Sequence, residues 1–200
     1  MKRVIAPFAA AAMFAVLPHA ALAQSGAYTL DTYHTYVHFE VDHIAGISRM
    51  RGRFDKVTGK FTLDQAGKTG SLDVIVQTAS ISTGDNDKGS RPRARDEHLR
   101  SPDFFNVAEF PTMNFKSTKV IFKGDVPGTI EGNVTMLGVT KPVTLNVDHW
   151  RCAPHPASKK DMCGANATGT IKRSDFGMKF GIPSVGDELK LWIEVEGYKD

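Results

Sequence analysis

The chain has 200 residues, of which 25 are lysine or arginine and 22 are aspartate or glutamate. This length predicts a single domain, and the near balance of charge gives no global indication of nucleic-acid binding. The formal net charge of +3 falls by two if the two basic residues at the start of the chain, Lys2 and Arg3, are removed. We therefore expect no nucleic-acid partner.

The first 23 residues have the pattern of a cleavable signal peptide. The two basic residues precede an apolar, alanine-rich run that ends at Leu17, and Ala21-Leu22-Ala23 is a small-x-small cleavage site. We expect cleavage after Ala23 and one mature domain, residues 24–200. The apolar run is shorter than the ~20 residues that a membrane span needs, so stable membrane insertion is not expected. A retained membrane anchor is the alternative.

The mature chain alternates apolar and polar residues from Tyr28 to Gln77 and again from Thr112 to Val195. This period of two is typical of half-buried β-strands, and the turn signals at short spacing predict eight or nine of them. Such a series indicates an all-β sandwich or barrel. Gly52 falls among the inward positions, where it suits a bend or a close approach of ligand. Residues 55–59 are predicted to be a turn.

Two features favour an antiparallel barrel of about eight strands over a sandwich. The strands follow one another with short turns, as in an up-and-down meander. The inward positions mix large aromatics with glycine and alanine, as expected of a hollow interior that holds one small ligand. A filled sandwich core remains the alternative. The candidate apolar tunnel consists of Phe39, Val41, Phe54, Phe61, Val74, Met113, Phe115, Val134 and Leu145.

Residues 91–111 interrupt the strand pattern with a charged, helix-forming run followed by a cluster of apolar residues. We expect a short helix near residues 91–107, laid across one end of the barrel. Its charged residues, with those of residues 171–177, form a candidate polar mouth. The members that we assign to this mouth as ligand-binding residues are His43, Asp96, His98, Arg173 and Asp175.

Two other interpretations of the mouth remain open. Asp96 or Asp175 could pair with Arg173 in a purely structural network, since arginine forks suit carboxylates. Alternatively, Asp96 and His98 could act as acid–base groups of an enzyme. No nucleophile motif of the G-x-S-x-G type accompanies them, so we assign no catalytic residue.

The remaining cysteines and histidines suggest a structural disulfide and no metal site. Cys152 and Cys163 are the two cysteines of the chain, and in an exported protein we expect a disulfide between them. His34, His38 and His43 suggest a metal site, but on a strand His43 lies opposite the other two. We therefore predict neither a metal nor another cofactor.

Several segments together resemble the YceI-like family of polyisoprenoid-binding proteins. Taken together, these segments extend over nearly all of residues 27–196, and their order and spacing match those of the family. The segments are Tyr28-x-Leu30-Asp31-x-x-His34-Thr35-x-Val37-x-Phe39-x-Val41-x-His43, Gly52-x-Phe54, residues 95–101 (RDEHLRS), Asp103-Phe104-Phe105, Phe110-Pro111-x-Met113-x-Phe115, residues 132–143 (GNVTMLGVTKPV) and residues 172–177 (KRSDFG).

The resemblance implies a lipocalin-like barrel in the periplasm. It implies that the barrel encloses the tail of a long isoprenoid, such as a quinone or polyprenyl phosphate, or another amphiphile. It implies no catalytic residues. The cysteine loop departs from part of the family and leaves the ligand open. A homodimer and a non-binding structural domain remain alternatives.

Overall fold

The computed structural model describes residues 25–200, so the predicted signal peptide lies outside the described residues. Among residues 25–200, the one α-helix, α1, spans Arg95–Arg100, and two short 3-10 turns span Thr78–Ser80 and Arg173–Phe176. No helix of this part of the chain has the length and apolar character needed to cross a bilayer. The strands are β1 Gly26–Leu30, β2 Tyr36–His43, β3 Ser48–Phe54, β4 Val57–Asp64, β5 Thr69–Gln77, β6 Ile81–Ser82, β7 Thr112–Lys123, β8 Val126–Met136, β9 Val139–Pro154, β10 Asp161–Lys172 and β11 Val185–Lys199.

The strands form one closed antiparallel barrel, as predicted. β1, β4, β5, β7, β8, β9, β10 and β11 are neighbours in that order, and β11 returns to pair with β1. β2, β3 and β6 continue β1, β4 and β5 towards one end, which we call the mouth; β11 pairs with β2, β2 with β3, and β3 with β6. The predicted turn at residues 55–59 is instead a short break between β3 and β4, because Val57 already pairs with Val76 of β5.

Glycines inside the barrel make room for aromatic rings of neighbouring strands. A Cβ placed on Gly52 would lie 2.5 Å from Cζ of Phe39, its cross-strand partner. A Cβ on Gly132 would lie 2.5 Å from Cζ of Phe115. Both distances are too short for real Cβ atoms, so a larger residue at either position would force the neighbouring ring to move. The space predicted at Gly52 for a bend or a ligand is therefore occupied by the ring of Phe39.

At the barrel end opposite the mouth, which we call the floor, aromatic side chains pack against one another. The rings of Tyr28 and Phe61 stack at 4.5 Å between centroids, and Trp150 meets Phe61 edge-on at 6.0 Å. Cys152 and Cys163, paired across β9 and β10, form the expected disulfide beside this end. The disulfide therefore cross-links the two strands of the β9–β10 hairpin next to the floor.

Replacing both cysteines (Cys152→Ser with Cys163→Ser) should lower the free energy of unfolding by about 2–3 kcal/mol, because the unfolded chain regains the freedom of the closed loop. Urea unfolding measures the change. Dithiothreitol should cause a similar loss in the natural chain and none in the double variant. Equal stability of all four samples would contradict a stabilising role.

Candidate functional site

The barrel encloses a cavity of about 280 Å³ that is lined mainly by apolar side chains. The alternative of a filled interior is therefore wrong for the half of the barrel nearest the mouth. These predicted tunnel residues line the cavity, while their contact with a ligand stays a prediction: Phe39, Val41, Phe54, Val74, Met113, Phe115, Val134 and Leu145. Phe61 does not line it, because its ring packs at the floor between Tyr28 and Trp150.

Helix α1 lies at the mouth and places His98 in the cavity wall. The helix is only six residues long, so tertiary contacts must hold it. Arg100 donates from Nη2 to the carbonyl of Ile81 at 2.7 Å, and the Asp96 carboxylate accepts from the backbone N–H and the hydroxyl of Thr83 at 2.9 and 2.6 Å. These bonds fasten the helix to β6 and the residue after it.

An aromatic cluster surrounds His98 at the mouth. Its ring meets Phe104 and Phe180 edge-on at 5.0 and 5.1 Å, and its Nε2 lies 2.8 Å from Oδ2 of Asp103. Hydrogen bonds from Arg93 and then from His98 hold the pKa of the Asp103 carboxyl below its usual range. Phe180 lines the cavity and is 46% exposed, so the cavity approaches the surface here.

Two of the predicted mouth residues do not reach the cavity. Asp96 is 2% exposed and its carboxylate faces Thr83. Asp175 is exposed on the 3-10 turn that begins at Arg173. The pair of Asp96 and His98 suggested for acid–base chemistry is not formed, because His98 bonds Asp103 instead. His43, His98 and Arg173 do line the cavity together.

Arg173 is the main polar group of the inner wall. Its side chain is 2% exposed, and it donates to the carbonyls of Gly186, Met178 and Val185 at 2.7, 3.1 and 2.9 Å. The suggested pairing with Asp96 or Asp175 is therefore wrong. Arg173 instead holds the loop between β10 and β11 through backbone acceptors.

The environment of Arg173 leaves a charge beside the apolar cavity. Burial lowers the pKa of its guanidinium, and the nearby Asp187 carboxylate acts in the opposite direction. Arginine stays protonated in proteins and carries five N–H donors, of which the three carbonyls occupy three. Arg173 therefore places a buried guanidinium in the cavity wall.

The three histidines considered for a metal do not converge. His43 lines the cavity, whereas Nε2 of His38 lies 2.7 Å from Glu194 and Nδ1 of His34 lies 2.7 Å from Asp31. His34, Asp31 and Glu196 form a group whose ligand-type atoms lie within 4.8 Å of one another. The hydrogen bond that the His34 ring donates to the Asp31 carboxylate raises the pKa of His34, which favours an ion pair.

Fold and cavity together define a lipocalin-like barrel: closed, antiparallel and hollow at one end. The model of the YceI-like domain matches residues 28–197, and the chain belongs to that family. The resemblance read from the sequence motifs is thus confirmed. A UPF0312 protein of Pseudomonas aeruginosa is 35% identical over 193 residues, covering 96% of each chain. Protein YceI of Salmonella paratyphi B is 37% identical over 165 residues, covering 82% of this chain and 81% of the relative.

Solved structures have the same fold. The YceI protein of Campylobacter jejuni is 28% identical with a TM-score of 0.64, covering 77% of this chain and 87% of that one. BcnA of Burkholderia cenocepacia is 22% identical with a TM-score of 0.67, and the match covers 84% of this chain and 98% of BcnA. A polyisoprenoid binding domain from Saccharophagus degradans, implicated in plant cell wall breakdown, is 15% identical with a TM-score of 0.61, covering 86% and 98%. The last two show the fold alone.

Arg173→Ala should lower the free energy of unfolding by about 3–5 kcal/mol, because three carbonyls lose their donor and a buried side chain is removed. Urea unfolding measures the loss. The exposed neighbour variant Lys172→Ala should change stability by no more than ~0.5 kcal/mol. Equal effects of the two substitutions would show that the carbonyl contacts do not hold the loop.

Proposed function

We propose that this protein is a periplasmic binding or carrier protein that sequesters an isoprenoid-type lipid, such as a quinone or polyprenyl phosphate, or a similar amphiphile. The apolar tail occupies the cavity and the polar head lies at the mouth near His43, His98 and Arg173. The observation that carries the proposal is the cavity of about 280 Å³, whose wall is apolar except near the mouth and at a few isolated positions.

The energetics of burial support this function. Removal of apolar surface from water contributes about 25 cal/mol per Å², so a few hundred Å² of buried tail gives several kcal/mol. Part of this offsets the loss of freedom of the bound lipid. Micromolar retention corresponds to about 8 kcal/mol, which lies within reach of an enclosed tail with one or two polar contacts at its head.

Comparison and compartment support the same proposal. The chain belongs to the YceI-like family, and the Saccharophagus degradans neighbour is named as a polyisoprenoid binding domain. The disulfide suits an oxidising compartment such as the periplasm, and the pattern of the first 23 residues predicts an export signal. The proposal involves no catalytic step.

Organic extraction of the purified protein, followed by mass spectrometry, should release about one isoprenoid-type lipid per chain. The delipidated protein should then take up an added prenylated benzoquinone, measured by the retained absorbance after gel filtration. Val134→Phe, which adds volume inside the cavity, should reduce uptake about tenfold or more, since the tail loses enclosed space. Thr144→Phe, at an exposed position of β9, should leave uptake unchanged. Repeated lipid-free extracts together with no uptake would refute the proposal.

Expression of the whole chain in a Gram-negative host should yield a periplasmic protein that starts at Gln24, because the small residues Ala21 and Ala23 fit the cleavage site. Intact mass spectrometry measures where the chain starts. Ala21→Arg should block processing and leave the precursor mass. A full-length protein recovered from the cytoplasm would contradict export.

A further inference from the structure

Two exposed loops form an apolar surface beside the mouth of the barrel. Residues 44–47 (IAGI) connect β2 to β3, and residues 179–184 (KFGIPS) precede β11. The backbone N–H of Ala45 donates to the carbonyl of Ser184 at 3.1 Å, so the two loops lie side by side. Every residue of both loops is exposed. We call this surface the apolar rim.

The apolar rim presents four large apolar side chains to the solvent. Ile44 and Ile47 are 53% and 82% exposed, and Ile182 and Phe180 are 37% and 46% exposed. Single exposed apolar residues are ordinary on protein surfaces, whereas a group of them indicates an interaction site. This group lies where the cavity approaches the surface, since Phe180 belongs to both.

The backbone of the first loop also indicates a role outside the fold. Ile44 has a φ of 50°, in the left-handed region that a β-branched residue rarely adopts. Glycine or asparagine would suit this conformation better. The isoleucine side chain gains little burial within the chain in return. An apolar partner that covers Ile44 accounts for an isoleucine at this position.

The charge of the apolar rim suits an anionic lipid surface. Lys179 is the one charged residue of the two loops, and neither loop contains an acidic residue. Arg49, which follows the first loop, already pairs with Asp42 and Glu40 at 3.3 and 3.6 Å. Apolar side chains beside a basic residue bind the interface of an anionic bilayer. A bilayer also accepts short loop tips without a fitted groove.

We propose that the apolar rim docks the mouth of the barrel reversibly onto an anionic lipid bilayer, with its isoleucines in the interfacial layer. This inference rests on the proposed function, which it extends by naming the surface from which the lipid is taken up. The cavity wall borders or enters the rim at His43, Phe180 and Val185. A docked mouth therefore opens towards the acyl chains of the bilayer.

Flotation with vesicles of phosphatidylglycerol and phosphatidylcholine in equal parts measures the docking of the purified protein. The natural chain should float with these vesicles. Ile47→Ser and Ile182→Ser, on separate loops, should each weaken binding about tenfold, because an isoleucine side chain no longer leaves water. Ile75→Ser is the matched control, since Ile75 is 40% exposed on the outer face of β5, and it should leave binding unchanged. Equal effects of all three substitutions would overturn the inference.

The contribution of charge is tested with a second pair of variants. Lys179→Ala should weaken binding to the anionic vesicles about fivefold, because a basic residue near such a surface contributes about 1 kcal/mol. It should have no effect on the weaker binding to phosphatidylcholine alone. Lys123→Ala, at the floor end of β7, should change neither. A loss that is the same for both lysines would contradict docking through the rim.

Two further measurements separate docking from the proposed function and from self-association. Uptake of the prenylated benzoquinone from dispersion, without vesicles, should be the same for Ile47→Ser and the natural chain, whereas uptake from vesicles should be slower for the variant. A natural chain that does not float with either kind of vesicle would overturn the inference, while uptake from dispersion would show that the proposed function stands. A dimer of the natural chain that Ile47→Ser dissociates, detected by light scattering after gel filtration, would also overturn it, because the rim would then join two copies.

Discussion

The hydrogen bonds that β11 makes with both β1 and β2 close the barrel, and the rest of the structure depends on that closure. Strand β1 ends at Leu30 and β2 begins at Tyr36, so a short stretch of β11 has no strand beside it on this side. The side chain of Thr35 replaces strand pairing there: its hydroxyl donates to the carbonyl of Glu196 at 3.2 Å and accepts from the N–H of Glu196 at 3.3 Å. Because the ring is closed, the sheet has no free edge along most of its length and the inward side chains share one enclosed space.

The distribution of large and small side chains decides which part of that space stays empty. At the floor, the rings of Tyr28, Phe61 and Trp150 pack against one another. Towards the mouth the rings of Phe39 and Phe115 lie against glycines of neighbouring strands, which keeps them close to the wall. An aromatic residue next to a glycine therefore preserves the cavity, because the ring occupies the notch instead of the barrel axis.

The mouth is built around two buried polar groups that serve the backbone. Arg173 secures the loop before β11 through three carbonyls, and Asp96 secures helix α1 through Thr83. Both groups satisfy donors or acceptors that would otherwise be buried unpaired, which is costly in a low-dielectric interior. His43, His98 and Arg173 are the predicted mouth residues that line the cavity. The same arrangement keeps the cavity wall apolar below the mouth.

The sequence alone determined the all-β architecture, the helical interruption, the disulfide and most of the cavity wall, because period-two alternation assigns each residue to one face of a strand. Only the tertiary structure decided that residues 57–59 already belong to β4, that Phe61 belongs to the floor, and that Asp96 and Asp175 stay away from the cavity. Alternation shows which face of a strand a residue occupies but not its height along the barrel axis. The residues around a carboxylate in the sequence do not show whether it bonds the protein itself or a ligand.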